Sequence, residues 1–218
     1  MPGSEPAQER RTKRAPWRVI ALVLLTGLAC VRHGSGEFAA GPPQPASAVA
    51  PDSPGALSPD YTGPEALPYS GAVRVGIPAL QIDARVIPVA LDTSGWVDAP
   101  PPDDPNLAGW FTGAPSPGEK GTAVVVGHVD NSQGPAVFYG LGRLKKGDQV
   151  EVRREDGRTA VFKVYGVEVF SKANFPGGRV YGSKGVPELR VITCGGAFSE
   201  QNGYAGNVVV FARLAAVR

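Results

Sequence analysis

The chain has 218 residues, 42% of them hydrophobic, and its 22 Lys and Arg against 20 Asp and Glu leave a formal net charge of +2. A balance this close to neutral argues against a nucleic-acid partner, which calls for a marked basic excess. Two cysteines and two histidines, one of each near the N-terminus, leave the rest of the chain without an internal disulfide or a zinc ligand set.

Taken in chain order, residues 1–33 read as a basic flank followed by a membrane anchor or signal segment. Arg10, Arg11, Lys13, Arg14 and Arg18 precede an apolar stretch from Val19 to Val31, which Arg32 closes. That stretch is about 13 residues long, shorter than the roughly 20 of a free-standing transmembrane helix and within the range of a signal-peptide core. The basic flank predicts a cytoplasmic N-terminus and an exported remainder. A retained signal-anchor, giving a single-pass membrane protein with an extracytoplasmic C-terminal domain, is the first reading. A cleaved signal peptide and a secreted product is the second. Lipidation at Cys30 is the third, although Gly27 stands where a lipobox carries leucine.

Residues 34–71 form a Pro/Ala/Gly-rich stretch, with eight prolines between Gly41 and Ser70. Such a composition buries too little apolar surface to offset its ordering entropy and predicts an extended, semi-stiff, disordered linker. A single domain is expected over residues 72–218, where sixteen Lys and Arg face fourteen Asp and Glu.

That domain reads as all-β. Val73 to Ile77, Ala84 to Ala90, Thr122 to Val129, Asp148 to Arg154, Thr159 to Phe170, Glu188 to Cys194 and Asn207 to Leu214 are β-branched and partly alternating. Glu155-Asp156-Gly157-Arg158 reads as a hairpin turn. Phe138 to Leu144 and Asn174 to Tyr181 suit short helices or turns. Seven or eight strands with irregular connections predict a closed barrel. The prolines from Pro100 to Pro105 predict an irregular surface loop, flanked by Trp96 and Trp110, which are expected to serve chiefly as anchors.

Within this domain there is one cysteine and one histidine, and each follows an apolar β-type run. His128 ends Thr-Ala-Val-Val-Val-Gly-His, and Cys194 ends Leu-Arg-Val-Ile-Thr-Cys. A thiol becomes an effective nucleophile when a neighbouring imidazole favours the thiolate. Two strands that end side by side would supply that pair on a rigid platform. Gly195 and Gly196 leave the following backbone bare, so its N–H groups suit either an oxyanion or a plain turn. Thr193 alternates to the opposite face. Asp130, two residues after His128, reads as an orienting carboxylate or, more simply, a solvated one.

Several motifs in fixed order carry a resemblance. Gly109 to Gly121 leads into Val-Val-Val-Gly-His-Val-Asp, then Gly-Pro-Ala-Val-Phe-Tyr-Gly-Leu, Lys-Lys-Gly-Asp-Gln-Val, Val-Ile-Thr-Cys-Gly-Gly and Asn-Val-Val-Val-Phe-Ala. Together these resemble the sortases, and Gly-His-Val-Asp with Gly-Pro-Ala-Val-Phe-Tyr resembles their class F branch. The resemblance covers nearly all of the domain from Val73. It implies an eight-stranded sortase barrel and a cysteine transpeptidase of the Gram-positive-type cell envelope. Such enzymes cut a C-terminal sorting motif, Leu-Pro-x-Thr-Gly or a relative, and pass the acyl group to an amine, commonly of a peptidoglycan precursor. Carried over by motif, Cys194 is the nucleophile and His128 the catalytic histidine, with no metal and no cofactor. The implied partners are sorting-motif-bearing surface proteins, an amine acceptor and the membrane.

One residue departs from the pattern. The resemblance implies an arginine on the last strand, within Tyr-Arg-Asp-Asn, whereas this chain has Tyr204-Ala205-Gly206-Asn207. Ala205 stands in the arginine's place. Asn207, and Arg179 from a loop, are the candidate substitutes for holding substrate and oxyanion; Arg190 and Arg213 lie too far along their strands. Two other readings compete. One is a non-catalytic, sortase-like module that binds an envelope peptide, which the missing arginine favours. The other is an L,D-transpeptidase, whose Ser-His-Gly-Cys motif Thr193-Cys194-Gly195 does not match.

Overall fold

Period-two patterning after Ala72 becomes strand in the computed structural model, which describes residues 41–45 and 63–218. The expected anchor over 1–33 and most of the expected linker lie outside the described residues. The strands are β1 (Ala72–Ile77), β2 (Ile82–Val89), β3 (Leu107–Phe111), β4 (Gly121–Gly127), β5 (Asp130–Asn131), β6 (Gly134–Pro135), β7 (Gln149–Arg154), β8 (Thr159–Ser171), β9 (Pro187–Ser199) and β10 (Gly203–Val217). Eight of them close a barrel in the order β1-β2-β3-β4-β9-β10-β8-β7, while β5 and β6 form a separate ribbon. The all-β, eight-stranded closed barrel expected from the sequence is therefore the architecture.

One barrel strand escapes the sequence pattern. β3, Leu-Ala-Gly-Trp-Phe, has no β-branched residue, yet it pairs parallel with β2 and antiparallel with β4. Strand preference is set largely by packing on neighbouring strands, and here those neighbours decide. The two expected helical stretches are short: a 3-10 turn at Leu141–Arg143, and a second at Lys172–Asn174 followed by a five-residue helix, α1 (Gly177–Tyr181). The β7–β8 hairpin turns at residues 155–158, with Gly157 at φ 82°.

Odd residues of β4 and β9 and even residues of β10 fill the barrel: Ala123, Val125, Leu189, Val191, Val208 and Val210. The opposite face of the same strands is buried too, because Val124, Val126, Ile192, Val209 and Phe211 pack under Val180 of α1 and against the connection between β2 and β3. Burial on both faces explains the unbroken apolar runs in β4 and β10.

Beneath α1 this outer face holds a buried ionic cluster. Arg190 and Glu188 are both fully buried. The Glu188 carboxylate accepts from Arg190 at 2.7 Å, from Arg213 at 3.0 Å and from the Tyr165 hydroxyl at 3.0 Å. Burial alone would raise the Glu188 carboxyl pKa; the charge of Arg190 and these hydrogen bonds outweigh it and hold the group below the ordinary carboxylate value. Burial, foremost, pushes the Tyr165 hydroxyl up to about 12. A depressed carboxyl contributes stability above its unfolded-state pKa and loses it as pH falls through the folded-state value. Glu188→Ala strands a buried guanidinium, so unfolding in urea near neutral pH should show a loss of about 3–5 kcal/mol. An unchanged midpoint would contradict this.

The chain enters the barrel along a strap. Leu67 N–H donates to Gly118 O at 2.8 Å, and Ser70 N–H to Ser116 Oγ at 3.1 Å. The fully buried Arg154 donates to Pro68 O at 2.6 Å and to Pro117 O, and pairs with Asp156 at 3.1 Å. Leu67 to Ser70, part of the stretch whose composition predicts a linker, are thus bonded to the barrel.

Candidate active site

Strands β4 and β9 run parallel, and their register ends at Val126 opposite Ile192. One residue further, the Thr193 hydroxyl donates to Gly127 O at 2.8 Å, and Thr193 is buried. Thr193 therefore faces away from Cys194, as alternation predicts, and ties the two strand ends together. One more step along each chain reaches His128 and Cys194. Both share the parity of the outer-face residues Val124, Val126 and Ile192, and neighbouring strands lie about 4.8 Å apart. On the far side of β9, Asn207 of β10 stands directly opposite Cys194 in the antiparallel ladder. Cys194 and Asn207 thus stand side by side on β9 and β10, and His128 follows directly on the end of the adjoining strand β4.

The imidazole is held by a group that no motif marks. His128 Nε2 lies 2.7 Å from the carbonyl oxygen of Pro100. A carbonyl only accepts, so Nε2 carries the hydrogen in this contact, and Nδ1 is the nitrogen left for proton transfer. Pro100 belongs to the proline cluster between β2 and β3, which Asn131 also fastens by donating to Pro102 O at 3.0 Å. The stretch expected to be a plain surface loop closes onto the histidine.

A cavity of about 460 Å³ opens beside Cys194 and Asn207, bounded by Trp96, Asp98, Lys172 and Tyr181. A second, of about 490 Å³, shares Trp96 and Tyr181 with it and continues past Leu91, Phe111 and Phe175. The Trp96 ring meets Phe175 edge-on at 5.7 Å. The two tryptophans expected as anchors divide: Trp110 is a core anchor, 3% exposed, whereas Trp96 is 45% exposed and walls the groove.

The remaining candidates have other partners. Gly195 pairs with Gly206 in the ladder, and a Cβ there would stand 2.6 Å from Val208, so packing requires its glycine. Gly196 begins a bulge at φ 80°, a left-handed conformation that suits glycine. Arg179, on α1 rather than in a loop, pairs with the buried Glu168 at 2.6 Å and lies over the Phe170 ring at 5.3 Å. It caps the outer core and does not line the cavity beside Cys194. Burial, foremost, raises the Glu168 carboxyl, and Arg179 opposes the shift.

Ala205 is exposed, two residues from Asn207 on the same strand and face. The Asp130 carboxylate accepts from the Tyr204 hydroxyl. Burial, foremost, then that bond and the Asp130 charge raise the Tyr204 hydroxyl above its ordinary value. The Tyr204–Asp130 pair carries no sequence signal, since 74 residues separate its members.

The sortase domain profile matches residues 75–215, more than half of the chain. The chain belongs to the sortase family. Solved sortases share its fold: sortase A from Listeria monocytogenes (14% identity, TM-score 0.51, covering 69% of this chain and 90% of that one) and sortase C-1 from Actinomyces oris (20%, 0.52, 66% and 73%). SrtA sortase from Actinomyces oris is similar to the same degree (18%, 0.51, 72% and 89%). No curated protein sequence matches the chain. Sortases are cysteine transpeptidases that act on surface proteins bearing a sorting motif and on amine acceptors.

Proposed function

We propose that this sortase is a membrane-tethered, class F-like transpeptidase whose barrel works outside the cell. On this reading it cleaves an LPxTG-like sorting motif through a thioester on Cys194. The observation that carries the reading is Cys194 beside Asn207 at an aromatic groove, with His128 just past the end of the adjoining strand. The Cys194 thiolate attacks the Thr carbonyl of the motif, giving a tetrahedral oxyanion and then a thioester. His128 takes the Cys194 thiol proton on Nδ1, gives it to the departing Gly amine and later takes a proton from the incoming amine. Aminolysis retains the energy of the acyl bond, so the reaction needs no cofactor. Asn207, opposite the nucleophile, donates an uncharged hydrogen bond where other family members place a guanidinium. The basic flank before Val19 holds the N-terminus inside, and the Pro-rich stretch lets the barrel reach the envelope.

The test is to incubate the protein with a panel of sorting-motif peptides and seek an acyl adduct on Cys194 by mass spectrometry. A folded protein that binds peptide without forming the adduct would instead be the binding module that Ala205 favours.

Restoring the charge should raise activity. Ala205 is a diagonal neighbour of Cys194 across the ladder, within reach of a long side chain at about 7–8 Å. Loss of one oxyanion donor typically costs about 2.7–4 kcal/mol of transition-state stabilisation. Ala205→Arg is therefore expected to raise transpeptidation at least about tenfold, and Asn207→Ala to lower the parent activity. Turnover of both variants on the best peptide decides it. No gain from the first and no loss from the second would move the role elsewhere.

A further inference from the structure

The connection between β2 and β3 carries three successive prolines, Pro100-Pro101-Pro102. A proline has a fixed φ and no N–H, and a residue that precedes proline is kept out of the helical region. Pro100 and Pro101 meet both conditions, so the run is a stiff, extended rod that rises about 3.1 Å per residue. Lacking donors, its backbone can hydrogen-bond only through carbonyl oxygens. Two of the three are used. Pro100 O lies 2.7 Å from His128 Nε2, and Pro102 O accepts from Asn131 Nδ2 at 3.0 Å. Pro100 is buried and Pro102 exposed, so the inner end of the rod touches the imidazole while the outer end is held from beside it.

The holder is itself locked. Asn131 Oδ1 accepts from the Gln133 N–H at 2.9 Å, which turns Nδ2 toward Pro102. Asp130 and Asn131 pair with Pro135 and Gly134 in the β5–β6 ribbon. The N–H groups of Ala136 and Phe138 donate to Val129 O at 2.9 Å and to His128 O at 3.0 Å, so the ribbon is built onto the backbone of the histidine. On its other side Asp130 accepts from Tyr204 of β10, the strand that pairs with β9 at Cys194. The ends of the connection are tied elsewhere, by the Asp98 N–H on Ala90 O at 2.9 Å and by Asn106 Nδ2 on Asp83 O at 3.2 Å. Asn131 holds the middle. The consequence is chemical, because a neutral imidazole carries one hydrogen and two inequivalent nitrogens. Held on Nε2 by the Pro100 carbonyl, the hydrogen leaves Nδ1 bare to take a proton; on Nδ1 it would block that step.

We propose that Pro100–Pro102 is a strut and Asn131 its anchor, and that together they fix the tautomer and direction of the His128 ring. Asn131 is then a positioning residue for proton transfer between His128 and Cys194. The inference rests on the proposed function for the step it serves, but the tautomer is read without turnover.

The test is nitrogen-15 NMR of the imidazole in the detergent-solubilised full chain, with His33→Gln to leave His128 as its one histidine. At a pH where the ring is neutral, the parent should carry its hydrogen on Nε2. Asn131→Asp keeps an acceptor for the Gln133 N–H but has no donor for Pro102 O. Asn131→Ala removes both without adding charge. Both variants should show a mixture of tautomers, with a thermal transition like that of the parent. On a sorting peptide, kcat should fall about 10- to 100-fold with KM little changed, the scale of loss that a misplacement of about 1 Å produces. A parent ring with its hydrogen on Nδ1, or the parent tautomer retained in both variants, overturns the proposal. So does a change confined to the Asp variant, which reports its charge, or an unchanged kcat in an enzyme that turns over. Mixed tautomers in both variants of a protein that never forms a thioester support the strut and refute the transpeptidase reading alone.

Discussion

Cys194→Ala is expected to abolish thioester formation completely and to leave the barrel folded. The thiol is free and half-buried, at a strand position whose partner across the ladder is Asn207, and it lines the cavity that receives the groove. No other described cysteine exists to take over the attack. The substitution removes a single sulfur atom at the edge of the outer core, while the clamp beside it, Thr193 to Gly127 O, is untouched. The measurement is the mass of the protein after incubation with peptide, alongside its thermal transition. Parent protein should gain the acyl mass on the peptide that contains residue 194, and the variant should gain none. An adduct that persists in the variant would remove Cys194 from the mechanism.

His128→Ala should cost far more in turnover than in peptide affinity. Proton transfer acts mainly in the transition state, and such a general acid is typically worth about 100- to 10,000-fold. The ring's anchor to the Pro100 carbonyl presents one nitrogen in a fixed direction, so the loss is of a positioned group. Steady-state kinetics on one sorting peptide should show kcat falling within that range and KM changing little. A variant with unchanged kcat would place the acid elsewhere. Loss through misfolding is told apart by the thermal transition, since the strands on either side of residue 128 are held by Thr193 and by the Phe138 N–H donating to His128 O at 3.0 Å.

Much of this site was legible before any coordinates. The strands β4, β8, β9 and β10 follow from runs of β-branched residues, and the two candidate reactive side chains follow from single residues placed after apolar runs. The order of motifs was enough to suggest the family that the sortase domain profile then matched. β3 was not legible, because Leu-Ala-Gly-Trp-Phe carries no strand pattern of its own and is made a strand by the two it joins. Asp130, whose spacing from His128 suits an orienting or a solvated carboxylate, accepts from Tyr204. Arg179, whose sequence surroundings suggest a loop, lies on α1 paired to Glu168.

The sequence by itself determined which face each residue of a strand takes, because alternation is a local property of an extended backbone. Thr193 pointing away from Cys194 is the plainest case. Only the tertiary structure decided which residue stands opposite which. The bulge at Gly196 and the antiparallel register set Asn207 against Cys194 and leave Ala205 diagonal to it. Pro100 meets His128 across 28 residues, and Gln44 meets Gly196 across 152. Cross-strand register and loop docking are fixed by packing between distant segments, and no local periodicity encodes them.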